Sequence, residues 1–238
     1  MMRAAAVMAR MPVPGEVKTR LVPPLTPPEA ARLYAGFLQD AIDRLARISG
    51  IRPFVAYTPP AADSFFSGIV PPGFSILPQA GGDLGERLAA VSGALFSRGA
   101  TAVVLCDSDS PTLPGRYIGE AFRRLEEADV VIGPCDDGGY YLIGMRRHTP
   151  RLFAGIPWSS ARVTQRTVEA AGRLNLPVFL LEPWHDVDTA ADLDRLCREV
   201  AGSPEDDTFA RHTNQALAEL GLLAQARAVG NDTQDTCR

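Results

Sequence analysis

Short apolar runs alternate along the chain with longer segments in which apolar residues recur every three or four positions. The short runs are typical of buried strands, and the periodic segments are typical of helices that pack on a sheet. Strands are predicted at 4–8, 53–57, 75–77, 101–106, 129–132, 140–145 and 178–181. Helices are predicted at 28–48, 84–97, 114–127, 161–173 and 190–200. This alternation predicts a three-layer α/β fold, a mixed and mostly parallel sheet with helices on both faces.

The connection between the predicted strands 129–132 and 140–145 is too short to hold a crossover helix. We therefore expect a compact loop there and one antiparallel pair in the sheet. After Gly202 a polar stretch leads to a further helix-like segment at 208–229 and a polar tail. The predicted organisation is one domain, 1–202, followed by a helical C-terminal extension, 203–238.

Composition limits the classes of partner that the protein is expected to bind and indicates its compartment. The 238 residues carry a net charge of -4, which argues against a nucleic-acid partner or an anionic membrane surface. The longest uncharged stretch, 64–82, is interrupted by prolines and glycines, so no membrane span is predicted. The cysteines are far apart and form no Cys-x-x-Cys pair, which indicates neither a zinc site nor a disulfide framework. A reducing, cytoplasmic location is expected.

Two carboxylates, Asp107 and Asp109, follow the apolar run 101–106 directly. Ligand sites in α/β sheets lie at the carboxyl ends of the strands. Side chains two apart on an extended chain point the same way, so both can face one divalent cation, a hard ion that prefers oxygen ligands. Alternatively, Asp109-Ser110-Pro111 caps the helix that follows. The tripeptide alone leaves both interpretations open.

The first predicted strand leads into a loop, 9–21, that carries Arg10, Lys18 and Arg20 between prolines and a glycine. Arginine offers a fork for two phosphate oxygens and lysine a point charge, so the loop suits a phosphate. The alternative is a solvated loop whose cations pair with surface acids. We favour phosphate binding because the loop leaves the predicted ligand edge of the sheet, although its spacing is not that of a Walker loop.

Two further loops are rich in glycine. The loop 79–88 has Gln79, which can read a base edge, but Asp83 and Glu86 in it also match a helix start. The loop 136–141 is acidic, glycine-rich and aromatic, which suits a sugar or another acceptor, or else a plain tight turn.

A last carboxylate, Asp188, precedes the predicted helix 190–200. It is either a third cation ligand or the cap of that helix.

Six motifs in this order resemble a known family. They are Pro-x-Pro-Gly-x-x-Lys-Thr-Arg-Leu at 12–21, Gly-Asp-Leu-Gly-Glu-Arg-Leu at 82–88, Asp-Ser-Asp-Ser-Pro at 107–111, Gly-Pro-x-x-Asp-Gly-Gly-Tyr-Tyr-Leu-Ile-Gly at 133–144, Pro-Trp-Ser at 157–159 and Asp-Val-Asp-Thr-x-x-Asp-Leu at 186–193. Over about residues 3 to 200 the chain resembles bacterial transferases associated with radical-SAM and selenoprotein gene neighbourhoods, which are labelled nucleotide-diphospho-sugar transferases. That family is similar to the glycosyltransferase-A fold and to molybdenum-cofactor guanylyltransferases.

The resemblance implies a role for each motif. Lys18, Arg20 and Asp109 are the expected catalytic residues, and Asp107, Asp109 and Asp188 are the expected ligands of Mg²⁺ or Mn²⁺. The nucleotide is expected at Arg10, Lys18, Arg20, Gln79, Gly82, Leu84, Gly85 and Asp107. The sugar or acceptor is expected at Asp137, Gly138, Gly139, Tyr140 and Trp158.

Three functions stay open at this point. The first is glycosyl transfer from a nucleotide-sugar to a small-molecule acceptor. The second is transfer of a nucleotidyl group from a nucleoside triphosphate to a phosphorylated small molecule, with release of pyrophosphate. The third is nucleotide binding without turnover. Prolines replace the glycine-rich opening loop of the nucleotidyltransferases, which leaves the donor open, and the sequence does not indicate an oligomeric state.

Overall fold

The computed structural model describes residues 2–202 and 210–223. The predicted strands are all present, as β1 (Met2–Arg10), β2 (Arg52–Thr58), β3 (Ser75–Pro78), β4 (Ala100–Cys106), β5 (Val130–Pro134), β6 (Tyr140–Met145) and β7 (Val178–Leu180). The helices of the described residues are α1 (Pro27–Ala46), α2 (Asp63–Ile69), α3 (Leu84–Ser97), α4 (Arg116–Arg124), α5 (Val163–Arg173), α6 (Ala190–Gly202) and α7 (Arg211–Glu219). Only α2 was not predicted, because its seven residues are too few to show a helical period.

The strands form one sheet in the order β3-β2-β1-β4-β6-β5-β7. β6 runs antiparallel to both of its neighbours, β4 and β5, and the other pairs are parallel. The predicted compact loop between β5 and β6 explains the antiparallel pair, since a connection this short can only fold back. The mixed, mostly parallel sheet is therefore confirmed.

The sheet is buried on both faces, which is why its strands read as nearly continuous apolar runs. Alternate strand residues, such as Val103 and Leu105, pack with α3 and α5 in one apolar cluster. The residues between them, such as Val104, point to the other face. The helix α4 contacts β4, β5 and β6, and its buried side chains are not part of that cluster. Helices thus cover both faces of the sheet.

The chain divides into two compact units. The sheet unit comprises residues 2–11, 41–108 and 113–185, and it contains all seven strands. The helical unit comprises residues 12–40, 109–112, 186–202 and 210–223 of the described chain. This division by contacts differs from the predicted organisation, whose boundary at residue 202 stays a prediction. Residues 203–209, on which that boundary falls, lie outside the described residues.

The helical unit has an apolar core of its own, built from the first part of α1 with α6 and α7. Asp40 fixes the start of α7, because its carboxylate accepts hydrogen bonds from the backbone amides of His212 (3.0 Å) and Thr213 (2.8 Å). Gly36 allows the close approach, since a Cβ there would lie 2.9 Å from the carbonyl oxygen of His212. The predicted helix 208–229 is thus present as α7, and its remaining residues lie partly outside the described chain.

Two further expectations concern the cysteines and the membrane. Cys106, Cys135 and Cys197 are buried and not joined in disulfide bonds, and Cys237 lies outside the described residues. None of the described helices combines the length and the apolar character that crossing a bilayer requires.

Candidate functional site

Lys18 is the centre of the charged residues in the helical unit. Its backbone is left-handed, with φ 47° and ψ 39°, and it is followed by a short 3-10 helix, Thr19–Leu21. The backbone amide of Leu21 donates to the carbonyl oxygen of Lys18 at 2.9 Å. Val17 and Leu21 are both buried in the core of the helical unit. These two apolar anchors hold the turn that carries Lys18, which explains why a lysine between them is itself buried.

The ammonium of Lys18 bridges two carboxylates. Its Nζ atom lies 2.5 Å from Oδ1 of Asp109 and 2.8 Å from Oδ1 of Asp188. The Lys18 side chain is 5% exposed, whereas those of Asp109 and Asp188 are 40% and 36% exposed. The ring of Phe37 lies 5.8 Å from Nζ on another side. A buried cation is therefore held by two acids that are themselves open to solvent.

These contacts keep Lys18 charged. Burial by itself would lower the pKa of Lys18, but attraction to Asp109 and Asp188 and the hydrogen bonds to them raise it well above the ordinary lysine range. A lysine in this state offers neither a lone pair for nucleophilic attack nor a site for a proton. Lys18 can therefore act only through its positive charge and its three donor hydrogens.

The start of α6 positions Asp188. The carboxylate of Asp192 accepts hydrogen bonds from the amide of Asp188 (3.2 Å) and from the amide and hydroxyl of Thr189 (both 2.7 Å). Burial opposes ionisation of Asp192, but these hydrogen bonds and the nearby Arg20 hold its pKa below the ordinary value. Thr189 and Asp192 therefore cap the helix, and the carboxylate of Asp188 is left to pair with Lys18.

Asp109 is fixed through its backbone, not by capping a helix. Its carbonyl oxygen accepts a hydrogen bond from the amide of Val187 at 3.1 Å, which places it beside the segment that carries Asp188. The N-cap of α4 is Gly115, which makes no side-chain capping hydrogen bond. The alternative in which Asp109 caps the following helix is thus wrong.

We call Lys18, Arg20, Asp109 and Asp188 the Lys18 cluster. Nη1 of Arg20 lies 3.5 Å from Oδ2 of Asp188, and the Arg20 side chain is 68% exposed. Two partly exposed carboxylates suit a hard divalent cation in their chemistry. Lys18 already offsets one of the two negative charges at this position. Chemically, the two carboxylates offer oxygen atoms, and the exposed guanidinium of Arg20 offers N–H donors of the kind that pair with anionic groups.

The predicted nucleotide residues of the sheet unit have mostly structural partners. Nε2 of Gln79 donates to the carbonyl oxygens of Ala9 (3.0 Å) and Ala56 (2.8 Å), which belong to β1 and β2. Both amide hydrogens of Gln79 are therefore used inside the sheet unit. Reading of a base edge through these donors, as the sequence suggested, is not what the structure shows, and only the Oε1 acceptor of Gln79 is left for a ligand.

The loop before α3 is a helix start. The amide of Glu86 donates to Oδ1 of Asp83 at 2.8 Å, and Oε2 of Glu86 accepts from the amide of Gly82 at 2.7 Å. Gly85 is required by packing, because a Cβ there would lie 2.8 Å from the indole of Trp158. Leu84, by contrast, is 43% exposed and faces solvent. The alternative interpretation of Asp83 and Glu86 as a cap is confirmed.

The loop between β5 and β6 is a tight turn whose backbone is largely used within the turn. The amide of Gly138 donates to the carbonyl oxygen of Cys135 (3.1 Å), and that of Gly139 donates to Oδ1 of Asp137 (2.7 Å). The amide and hydroxyl of Thr164, at the start of α5, donate to the carbonyl oxygens of Gly138 (2.9 Å) and Gly139 (2.5 Å). A sugar or acceptor at this loop would therefore have to meet side chains and not these amides.

Tyr140 and Trp158 form an aromatic pair beside that turn. Their rings pack edge to face, with centroids 6.3 Å apart. Burial raises the pKa of Tyr140 far above its ordinary value, and its hydroxyl oxygen is enclosed. Among the predicted acceptor residues, Asp137 is exposed, and Tyr140 and Trp158 are both half-buried, but the hydroxyl of Tyr140 is enclosed, so Asp137 and Trp158 offer the more accessible polar and apolar groups.

The residues after β4 complete the sheet unit's share of the predicted site. The amide of Asp107 donates to the carbonyl oxygen of Tyr141 (2.9 Å), and the hydroxyl of Ser108 donates to that of Met8 (3.0 Å). Arg10 is exposed at the end of β1. Burial raises the pKa of the Cys106 thiol to about 12, so this cysteine is not a nucleophile.

Sequence reasoning missed two supports of the Lys18 cluster. Phe37, which faces the ammonium, lies in the apolar stripe of α1 and carries no signal that separates it from other core residues. Thr189 and Asp192 do carry a sequence signal, because their spacing is that of a capping box. This spacing indicates that Thr189 and Asp192 cap the helix and that Asp188 does not.

Comparison with known proteins places the fold. Residues 41–160 match the bacterial family DUF2064, which is described as "uncharacterized protein conserved in bacteria". A protein of Desulfovibrio desulfuricans G20, provisionally named a nucleotide-diphospho-sugar transferase, is 36% identical in sequence. Its structure covers 95% of this chain and 99% of its own, with a TM-score of 0.85. No curated protein matches the chain at a significant level.

More distant structures share the fold alone. CMP:2-keto-3-deoxy-manno-octonic acid synthetase, in complex with CTP, is 13% identical with a TM-score of 0.54, and the match covers 82% of this chain and 97% of that one. A Mycobacterium tuberculosis H37Rv protein, in complex with manganese, is 15% identical with a TM-score of 0.50, covering 82% and 98% of the two chains. The family model matches half of the sequence, and the relative from Desulfovibrio desulfuricans G20 matches nearly all of it. This chain belongs to the DUF2064 family and has the fold of nucleotide-diphospho-sugar transferases.

Proposed function

We propose that this protein is a transferase that acts on a nucleotide-sugar with the help of a divalent cation, Mg²⁺ or Mn²⁺. The observation that carries the proposal is the Lys18 cluster, in which two partly exposed carboxylates share one buried ammonium and one carboxylate also meets an exposed guanidinium. The carboxylates offer oxygen ligands to a cation, and the basic side chains offer positive charge to phosphate oxygens. A nucleoside diphosphate that binds together with a cation requires both.

In this proposal Asp109 and Asp188 hold the cation, and the prediction that Asp107 is a third ligand stays a prediction. A bound divalent cation would offset the negative charge that grows on the leaving phosphate. Arg20, which is mostly exposed, binds phosphate oxygens through its fork of N–H donors. Lys18 offers a permanent positive charge to the same oxygens. Manganese in one structure of this fold and CTP in another support the choice of ligands.

The sugar and acceptor are proposed to meet the sheet unit at Asp137 and Trp158. The exposed carboxylate of Asp137 can accept hydrogen bonds from sugar hydroxyls, and the half-buried indole of Trp158 offers an apolar face. Trp158 packs closely over Gly85, where a Cβ would lie 2.8 Å from the indole, and edge to face on Tyr140, and these contacts restrict its ring. A fixed aromatic face binds a sugar ring with little loss of side-chain entropy.

Glycosyl transfer is the reaction we favour, because the relative that matches 95% of this chain carries the name of a nucleotide-diphospho-sugar transferase. An acceptor oxygen would attack the sugar carbon, the bond from that carbon to the β-phosphate oxygen would break, and a nucleoside diphosphate would leave. The acceptor's proton would pass to solvent.

Nucleotidyl transfer is the second candidate, supported by the fold of the CTP-bound synthetase. Here an oxygen of a phosphorylated acceptor would attack the α-phosphorus of a nucleoside triphosphate, and pyrophosphate would leave. The two reactions therefore differ in the bond that breaks.

The released product decides between the two reactions. We would incubate the protein and Mn²⁺ with a panel of nucleotide-sugars, or of nucleoside triphosphates, and mixed small-molecule acceptors. Acceptor-dependent release of a nucleoside diphosphate supports glycosyl transfer, and acceptor-dependent pyrophosphate supports the second candidate. If no nucleotide or nucleotide-sugar of either panel changes the protein's thermal stability with Mn²⁺, the proposal fails, because a bound ligand must stabilise the folded state.

A further inference from the structure

Lys18 places its ammonium between Asp109 and Asp188, where a positive charge is attracted by both carboxylates. One oxygen of each carboxylate lies within 2.8 Å of its Nζ atom, and the side chain is almost completely buried. The ammonium thereby neutralises charge that a divalent cation would otherwise use. A cation that approaches these carboxylates also meets a fixed positive charge at short range, and repulsion between them is strong where water is partly excluded.

We infer that Lys18 is an internal counter-ion, which keeps free divalent cations off Asp109 and Asp188 until phosphate oxygens draw the ammonium towards themselves. The inference rests on the proposed function for the identity of the two ligands. It adds that cation and phosphate bind cooperatively. Each ligand alone binds weakly. When both are bound, the cation pairs with the two carboxylates and the phosphate pairs with Lys18, so each ligand strengthens the binding of the other.

The chemistry of the side chain suits this role. Lysine is a compact charge on a flexible four-carbon stem, so its ammonium can change partners while the backbone turn that Val17 and Leu21 anchor stays in place. A phosphate group carries up to about two negative charges, more than either carboxylate, and so competes well for the ammonium. The ring of Phe37 lies 5.8 Å from Nζ and offers the ammonium an aromatic face.

Arg20 provides a matched comparison within the same cluster. It contacts Asp188 at 3.5 Å, and its side chain is 68% exposed. Its charge is therefore screened by water, and it does not lie between the two carboxylates. Loss of Arg20 should remove positive charge without opening the position that Lys18 holds.

The test is binding of Mn²⁺ alone, followed by electron paramagnetic resonance of the free ion, with no nucleotide present. Lys18→Met should bind Mn²⁺ at least about tenfold more tightly than the wild type, equal to about 1.4 kcal/mol. Arg20→Gln should change the affinity much less, and Lys18→Arg should stay close to the wild type because the charge remains. The double variant Lys18→Met/Asp188→Asn should lose the gain.

Adding inorganic pyrophosphate tests the cooperativity. Pyrophosphate should tighten Mn²⁺ binding to the wild type by about tenfold or more, and it should do so much less in Lys18→Met. If Lys18→Met binds Mn²⁺ no more tightly than the wild type, the counter-ion role is wrong. If it gains affinity but pyrophosphate has no effect on any variant, the counter-ion role stands and the proposed phosphate site fails. Lys18→Gln, which keeps a polar donor, gives the same comparison should Lys18→Met fail to fold.

Discussion

At the scale of single residues, the informative contrast is between charged side chains that are buried and paired within the fold and charged side chains that are exposed to solvent. Lys18 is buried between Asp109 and Asp188, whereas Arg20 touches only the edge of Asp188 and is mostly exposed. Both were predicted from the same basic loop. Their local sequence, Lys-Thr-Arg, does not distinguish them, because the difference comes from Asp188, which lies 170 residues away from Lys18.

The exposed guanidinium of Arg20 leads to a direct prediction. Arg20→Gln should weaken binding of Mn²⁺-pyrophosphate by roughly 10- to 150-fold, because a lost hydrogen bond to a charged group costs about 1.5–3 kcal/mol. Titration calorimetry measures the change. Arg147→Gln is the matched control, since Arg147 is also exposed and also pairs with one aspartate, Asp129. Equal losses in both variants would mean that Arg20 contributes only general charge.

Gly138 is the residue whose identity the backbone most clearly dictates. It has φ +90°, and a Cβ there would lie 2.1 Å from the carbonyl oxygen of Ala161. Gly138→Ala should therefore lower the free energy of unfolding by about 2–4 kcal/mol, through backbone strain and steric overlap. Gly119, inside α4, has open space around it, and Gly119→Ala should raise stability by about 0.5–1 kcal/mol. Urea denaturation of both variants checks the contrast, and a loss below 1 kcal/mol for Gly138→Ala would contradict it.

At the scale of elements, local sequence was a good guide to where strands and helices lie. The helix predicted at 28–48 is α1, Pro27–Ala46, because its apolar positions recur with the helical period. The seven apolar runs became the seven strands because strands that are buried on both faces need nearly continuous apolar residues. The antiparallel β5 and β6 followed from the length of their loop. What local sequence could not predict was α2, which is too short to show a period.

The predicted site was harder, because its residues are used by elements that are far apart in the chain. Gln79 suited a base edge by its chemistry, but its amide hydrogens join two strands through Ala9 and Ala56. Gly85 matched a ligand loop, but it gives room for Trp158. For Asp188 the sequence left two roles open. Asp192 caps α6, so the carboxylate of Asp188 does not. In each case the deciding partner is set by tertiary packing.

The cap of α6 predicts a pH dependence. The pKa of Asp192 in the folded protein is lowered from its ordinary value of 3.8, so its contribution to stability is complete above that value. The contribution is lost as the pH falls through the lower, folded-state pKa. Stability of Asp192→Asn should therefore change less than that of the wild type between about pH 5 and about pH 2.

Carboxyl titration by NMR gives the direct measurement of this cap. Asp192 should titrate below its ordinary range, and Thr189→Val should raise its pKa because a hydroxyl donor is lost. An Asp192 pKa that is the same in the wild type and in Thr189→Val would show that the hydroxyl bond has no effect on ionisation.

At the scale of the whole molecule, the sequence and the structure agree on fold class, and the predicted site residues fall in both compact units. The predicted phosphate and cation residues of the helical unit form one charged cluster. The predicted nucleotide loop of the sheet unit is mostly a helix start, and its acceptor loop is a tight turn beside Trp158. The central claim therefore concerns the helical unit, where Asp109 and Asp188 are proposed to hold a divalent cation together with phosphate.

That claim is tested most directly by calorimetric titration of Mn²⁺-pyrophosphate, a probe that needs no knowledge of the base or the sugar. The wild type should bind it, and Asp109→Asn and Asp188→Asn should each lose binding. Each variant also removes one carboxylate partner of the buried Lys18 ammonium and should lower the free energy of unfolding, so binding is measured at a temperature at which circular dichroism shows the variant to be folded. Glu169→Gln, which removes a partly exposed, ion-paired acid on α5, should bind as the wild type does. Unchanged affinity in both aspartate variants would contradict the account.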